Sequence, residues 1–205
     1  VKAIVVACNT ASALALSDIE KEIDIPIIGV MKPGARAAAA ATKNGRIGVI
    51  GTESTIRSGM YSRFLQEINP NITVVGKACP LFVPLVEEGW LKDPVTEEVA
   101  RRYLEELTRV EIDVLILGCT HYPLLRSTVK KVVGGQVELV NPAYETAQEL
   151  KRLLADQDLL NPGVKEEEFP YRFYVSDAAE KFKQFANSIL PYDVRVTQQI
   201  NIEEY

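Results

Sequence analysis

The sequence of 205 residues is poor in the side chains that hold metals or build disulfide frameworks. It contains three cysteines and a single histidine, and no two cysteines form a C-x-x-C pair. Three thiols exclude a disulfide framework, and one histidine leaves little for an all-protein transition-metal site. We therefore expect no metal site, and free thiols that fit a reducing cytoplasm.

Long apolar runs and an excess of positive charge are also absent. No apolar run reaches about 18 residues, so no membrane span is expected. The 23 lysines and arginines are outnumbered by 28 acidic residues, and the net charge is −5. This balance argues against broad electrostatic binding to nucleic acid or to an anionic membrane. The remaining composition, with 47% hydrophobic residues, is that of a globular protein.

Short β-branched runs alternate with longer helical stretches along the chain. KAIVVA at 2–7 and DVLIL at 113–117 have the near-continuous apolar character of strands that are covered on both faces. Single helices are predicted over 9–23, 54–69 and 122–133. Regular alternation of strands and helices predicts α/β layers with mainly parallel sheets. Eight predicted strands leave open whether the chain forms one sheet or two.

Two segments place a cysteine in the same local setting, between a predicted strand and a predicted helix. Cys8 ends one predicted strand and precedes Asn9 and Thr10, and Cys119 ends a later strand and precedes Thr120. Each cysteine is therefore expected at the carboxyl end of a strand and just before a helix, where open α/β sheets bind ligands. The N–H groups of a helix start are expected to lower the pKa of the thiol. With the neighbouring amide and hydroxyl side chains, they can also hold a carboxylate.

Two thiols in matching turns suit either a redox pair or a two-base proton transfer. In the second case, one group removes a proton from one face of a carbon and the other delivers a proton to the opposite face. His121, two residues after Cys119, is expected to act beside that thiol. Cys79 has no comparable setting and is expected to be structural. Thr52 follows a Gly-rich strand and is expected to cap a helix, with a contact lining the site as the alternative.

The two cysteine segments, ACNTAS at 7–12 and LGCTHYP at 117–123, resemble the paired signatures of bacterial glutamate racemases in the aspartate/glutamate racemase family. The resemblance covers most of residues 1–154 and weakens towards the C-terminus. Further stretches that agree with it are PGAR at 33–36, IGVIGT at 47–52, SGMY at 58–61 and CPLFVPL at 79–85.

This resemblance implies a cytoplasmic isomerase that interconverts L- and D-glutamate without a cofactor and supplies D-glutamate for peptidoglycan synthesis. Cys8 and Cys119 would be the acid/base thiols, with His121 assisting the second thiol. The positions that match substrate contacts are Asn9, Thr10, Thr120 and His121. Glutamate is the small-molecule partner that the resemblance implies, and a homodimer is compatible with it.

The resemblance also implies two similar three-layer α/β domains with the active site in the cleft between them. The chain would pass from the first domain to the second near Met31 and return near Leu139. The first domain would then be discontinuous, 1–31 plus 139–205, and the second domain would be 32–138. The sequence begins at Val1 directly on a predicted strand. We interpret it as lacking an N-terminal segment that includes one strand of the first domain, and we expect low activity from these residues alone.

Two other functions remain open at this point. One is racemisation of another acidic amino acid, such as aspartate. The other is a non-catalytic, carboxylate-binding protein in which Cys8 and Cys119 form a reversible disulfide as a thiol switch. The matched turns favour the racemase, since they account for the amide and hydroxyl side chains beside each thiol.

Overall fold

The structure is a computed structural model that describes residues 1–161, 163 and 171–204. The chain divides into two compact units, Val1–Leu160 and Asn161–Tyr205. The acidic run at 166–168, which the sequence predicts to be a solvated loop, lies outside the described residues. Among the residues that are described, no helix is both long enough and apolar enough to cross a membrane.

The first unit contains nine α-helices and six strands among its described residues, and it carries both cysteine turns. In chain order these elements are β1 (Ile4–Val6), α1 (Asn9–Leu14), α2 (Leu16–Glu22), β2 (Ile27–Gly29), α3 (Met31–Ala41), β3 (Arg46–Gly51), α4 (Glu53–Arg57), α5 (Met60–Ile68), β4 (Thr73–Ala78), α6 (Phe82–Glu87), α7 (Pro94–Arg109), β5 (Val114–Gly118), a 3-10 helix (Tyr122–Leu125), α8 (Arg126–Val133), β6 (Glu138–Val140) and α9 (Pro142–Asp156).

The second unit is smaller, and its described part contains one helix between two paired strands. These elements are β7 (Phe173–Val175), α10 (Ala179–Ile189) and β8 (Thr197–Gln199), followed by a short 3-10 helix, Ile202–Glu204. The strands β7 and β8 are parallel, with Phe173 opposite Thr197.

The predicted α/β class with mainly parallel sheets is confirmed. Where the structure describes the chain, every paired strand is parallel, in sheets of order β1-β2, β4-β3-β5-β6 and β7-β8. The eight strands therefore form neither one sheet nor two. The predicted division into 1–31 plus 139–205 and 32–138 stays a prediction.

Helices cover both faces of the four-stranded sheet, and this explains the unbroken apolar runs of its central strands. All five residues of β5 are buried. On one face, α3 and α5 pack together and against β3 and β5 in a core that includes Ala38, Tyr61 and Leu65. The helices α7 and α8 pack together, and α7 also contacts β4. A central strand without a polar face is expected in this arrangement.

Each of the three predicted single helices is interrupted in the structure. The helix predicted over 9–23 is α1 followed by α2, with non-helical backbone at Ala15 (φ −126°, ψ −19°). The helix predicted over 54–69 breaks at Gly59, whose left-handed backbone (φ 67°) starts α5. The segment predicted over 122–133 begins as a 3-10 helix before it continues as α8.

The paired ends of β3 and β5 approach one another closely because both end in glycine. Gly51 lies opposite Gly118 in the parallel register. A Cβ atom added to Gly118 would lie 2.6 Å from the carbonyl oxygen of Ile50, closer than real Cβ contacts come. This pairing brings the residues that follow the two strands, Thr52 and Cys119, to one edge of the sheet.

We expect Gly118→Ala to lower the free energy of unfolding by about 2 kcal/mol, because a backbone oxygen cannot move aside as a flexible side chain can. Urea unfolding would measure the change. Gly135→Ala is the matched control, because no atom lies within 4 Å of a Cβ added to Gly135. Equal stability of the two variants would show that a Cβ atom at position 118 does not disturb the pairing of β3 and β5.

Candidate active site

Both cysteine turns connect a parallel strand to a helix, as the sequence predicts. Cys8 is the N-cap residue of α1, and its carbonyl accepts a hydrogen bond from the amide of Ser12 at 2.8 Å. Cys119 follows β5, and its carbonyl accepts a hydrogen bond from the amide of Tyr122 at 3.2 Å. The turns match, but their environments differ, since Cys8 is exposed and Cys119 is only 8% exposed.

Ser12 anchors the first turn to both strands of its sheet. Its hydroxyl donates a hydrogen bond to the carbonyl of Val6 at 2.9 Å and accepts one from the amide of Val30 at 3.4 Å. Because Ser12 is buried, water competes little for these bonds. The position of Cys8 therefore depends on a serine one helical turn further along the chain.

Burial dominates the acidity of the Cys119 thiol and raises its pKa above the ordinary value. Hydrogen bonds from the backbone amides of His121 and Tyr122 and from the side chain of Thr120 act to lower the pKa but do not outweigh the loss of solvation. The expectation that the helix start lowers the pKa is therefore wrong for this thiol. The reason is that the sequence pattern indicates the amides but not the depth at which the sulfur lies.

The two thiols lie close enough to interact. Negative charge on Cys8 raises the pKa of Cys119 further, since two thiolates repel each other. Electrostatic interactions weaken with distance, so this coupling is a sign of proximity. Ionisation of Cys8 consequently favours the protonated form of Cys119.

His121 lies between the Cys119 thiol and a carboxylate. Its Nδ1 atom is 3.8 Å from the sulfur of Cys119 and 3.3 Å from the hydroxyl of Thr120. Its Nε2 atom is 3.4 Å from Oε1 of Glu87, the last residue of α6. A carboxylate on one ring nitrogen stabilises positive charge on the ring when the other nitrogen takes a proton. Glu87 was not among the predicted site residues, because nothing in its local sequence links α6 to the turn after β5.

Three threonine hydroxyls form a cluster that joins the first cysteine turn to the end of β3. Thr10 is 2.9 Å from Thr52 and 3.1 Å from Thr55, measured between hydroxyl oxygens. Thr52 is the N-cap residue of α4, and its hydroxyl accepts a hydrogen bond from the amide of Thr55 at 3.2 Å. The predicted cap is therefore present. The structure also places Thr52 beside Thr10. The alternative, a contact of Thr52 that lines the site, stays a prediction.

Asn9, the first residue of α1, is almost completely buried at 4% exposed. Its side-chain oxygen accepts a hydrogen bond from the hydroxyl of Tyr61 at 2.6 Å. Tyr61 lies on α5 and was not among the predicted site residues. The only available signal was its place in the SGMY stretch, which by itself says nothing of a partner on α1.

Cys79 directly follows β4 and is buried. Burial raises the pKa of its thiol to about 12, so the thiol stays protonated. Its carbonyl accepts a hydrogen bond from the hydroxyl of Tyr122 at 2.8 Å. These features agree with the structural role expected for Cys79. Within the described ranges, no group of three or more His, Cys, Asp and Glu side chains is arranged to hold a metal ion.

Two thiols, with amide and hydroxyl side chains beside them, lie at the carboxyl ends of parallel strands, where α/β proteins bind their ligands. The Asp/Glu/Hydantoin racemase family matches residues 1–150. The chain belongs to this family of racemases, and the resemblance seen in its sequence is confirmed.

The relatives that match nearly the whole chain are glutamate racemases, which are amino-acid isomerases. The glutamate racemase of Geobacter metallireducens is 45% identical over 99% of this chain and 74% of its own length. A crystal structure of a glutamate racemase from Bacillus anthracis superposes with a TM-score of 0.92 at 39% identity, covering 98% of this chain and 74% of the other. One from Francisella tularensis, in complex with D-glutamate, gives a TM-score of 0.91 at 35% identity, with 100% and 75% covered.

We expect Glu87→Gln to slow alkylation of Cys119 by iodoacetamide several-fold at neutral pH. The substitution removes the carboxylate that lies 3.4 Å from Nε2 of His121, so the ring is held less firmly beside the sulfur of Cys119. Peptide mass spectrometry would give the rate for each cysteine separately. The rate at Cys8 is an internal reference, and Glu88→Gln, at the next residue, is the matched control. An unchanged rate at Cys119 would remove Glu87 from the site.

Proposed function

We propose that this protein interconverts L-glutamate and D-glutamate without a cofactor, with Cys8 and Cys119 as the two acid/base groups. The observation that carries the proposal is the pair of cysteine turns at two strand ends, which the hydrogen bond between Thr10 and Thr52 joins at one edge of the sheet. The family and the named relatives supply the reaction class and the substrate. The D-glutamate formed would be used in peptidoglycan synthesis, and the reduced thiols suit the cytoplasm.

Racemisation in this scheme moves one proton off the α-carbon and another onto it. The thiolate on one side takes the α-proton, and the thiol on the opposite side donates its own proton to the other face of the carbanion-like centre. After turnover, the first sulfur is protonated and the second is not, so the enzyme is ready for the opposite enantiomer. A thiol is a suitable group because it is both an acid and a base near neutral pH.

The unequal environments of the two sulfurs suit unequal protonation. Burial and the nearby charge of Cys8 favour the protonated form of Cys119, which is the form that donates a proton. In the opposite direction Cys119 must first lose its proton. His121, with Glu87 behind it, is the group placed to assist that step.

Amide and hydroxyl donors around the thiols would hold the carboxylates of the substrate. Asn9, Thr10, Thr52 and Thr120 offer such groups, and His121 adds a ring nitrogen. Donors fixed before the substrate arrives stabilise negative charge that develops next to the α-carbon. The hydrogen-bonded cluster of Thr10, Thr52 and Thr55 supports this assignment, because mutual bonds hold hydroxyls in place.

The alternatives from the sequence are less well supported. An aspartate racemase is not favoured, since the relatives at 38–48% identity are glutamate racemases. The thiol switch does not account for the carboxylate-binding side chains beside each cysteine. A homodimer stays a prediction.

In the full-length protein, we expect Cys8→Ser and Cys119→Ser each to lower racemisation of glutamate at least about a hundredfold, because a serine hydroxyl is a far weaker acid than a thiol and is not ionised near neutral pH. Circular dichroism would follow racemisation, and mass spectrometry would follow entry of solvent deuterium at the α-carbon. Cys79→Ser is the matched control and should retain activity. Full activity of either active-site variant would contradict the two-thiol assignment.

The raised pKa of Cys119 predicts the pH dependence of its reaction with iodoacetamide. The alkylation rate of Cys119 should still rise with pH where the rate of a small free thiol has levelled off, because burial keeps the Cys119 thiolate scarce until higher pH. Peptide mass spectrometry would follow the rate across a range that spans a thiol's usual pKa of about 8.5. A Cys119 profile that levels off together with that of the free thiol would contradict the raised pKa.

A further inference from the structure

Tyr61 contacts both cysteine turns although it belongs to neither. Its hydroxyl donates a hydrogen bond to Asn9, the residue after Cys8, at 2.6 Å. A Cβ atom built on Gly118, the residue before Cys119, would lie 3.3 Å from Cε2 of the Tyr61 ring, so the ring edge lies directly over that glycine. Since Tyr61 is 3% exposed, these contacts form inside the protein.

The hydrogen bond decides which way the amide of Asn9 is oriented. The Tyr61 hydroxyl is the donor in this bond, and Oδ1 of Asn9 is the acceptor. A donor needs the carbonyl oxygen of the amide, not its nitrogen. The Asn9 NH₂ group is then the part left to donate to another acceptor, such as a carboxylate.

We propose that Tyr61 is a positioning residue of the active site, which holds the Asn9 amide as a hydrogen-bond donor towards the substrate and braces the Cys8 turn against the Cys119 turn. This inference rests on the proposed glutamate racemase activity, in which Asn9 contacts a substrate carboxylate. Tyr61 touches no substrate in this scheme and acts only through Asn9 and Gly118.

A purely structural role for Tyr61 makes a different prediction. Its ring belongs to the core formed by α3, α5, β3 and β5. If the ring serves only that core, removal of the hydroxyl alters stability but not substrate binding. Tyr61→Phe separates the two roles, because phenylalanine keeps the ring over Gly118 and loses only the bond to Asn9.

The test compares Tyr61→Phe in the wild-type background and in an Asn9→Ala background. In the wild-type background we expect kcat/KM for glutamate to fall about tenfold, mainly through a higher KM, because a binding contact is weakened in the ground state and transition state alike. In the Asn9→Ala background the same substitution should have no further effect on kcat/KM. Tyr103→Phe is the matched control, since Tyr103 accepts a hydrogen bond from the amide of Leu81 at 3.3 Å, and its kcat/KM should be unchanged.

The possible outcomes separate this inference from the proposed function. Equal losses in both backgrounds, or wild-type kcat/KM for Tyr61→Phe, would overturn the positioning role while leaving the racemase activity intact. A wild-type protein that binds glutamate without exchanging its α-proton would refute the racemase activity. In that case, Kd values for glutamate from calorimetry would replace kcat/KM in the comparison of the two backgrounds. Tyr61→Phe should then weaken glutamate binding about tenfold in the wild-type background. A full-length wild-type protein that neither binds nor exchanges glutamate would overturn both.

Discussion

The site depends on the close parallel pairing of β3 and β5 at the point where both strands end. Gly51 and Gly118 are opposite each other in the register, and the backbone beside them leaves no room for a Cβ atom on Gly118. Parallel strands bring their carboxyl ends to one edge, so Thr52 and Cys119 emerge there together. The first cysteine turn reaches the same edge through the hydrogen bond of Thr10 to Thr52. A strand-strand contact in the core thus sets the spacing of polar groups at the surface of the unit.

Two opposing effects meet at Cys119, and burial is the stronger one. The amides of the following turn and the hydroxyl of Thr120 stabilise a thiolate, as a helix start commonly does. Loss of water around the sulfur and the nearby charge of Cys8 favour the thiol instead. Cys119 is almost fully buried, whereas Cys8 is exposed. This difference suits the proposed mechanism, in which the two sulfurs have opposite protonation.

The supporting residues of the site come from helices that are remote in sequence from the two turns. Tyr61 of α5 fixes the amide of Asn9, and Glu87 of α6 lies behind His121. Taken alone, each residue has an ordinary position. Tyr61 lies in an apolar core, and Glu87 is the last residue of a short helix. Their roles depend on which turn the helix faces. Only the packing of α5 and α6 on the sheet determines that.

The sequence by itself determined the parallel α/β class, the two cysteine turns and the family, because these depend on local periodicity and on motifs that are continuous along the chain. It also placed Thr52 correctly as a helix cap, since a cap involves residues only three positions apart. The interruption at Ala15 has no local signal in the sequence, whereas the one at Gly59 falls on Ser58-Gly59, a dipeptide typical of turns. The tertiary structure alone decided the raised pKa of Cys119 and the partners of Asn9 and His121. Burial and hydrogen bonds between distant segments arise only when the helices pack on the sheet, and no local pattern encodes the depth of a sulfur or the side chain that will lie against it.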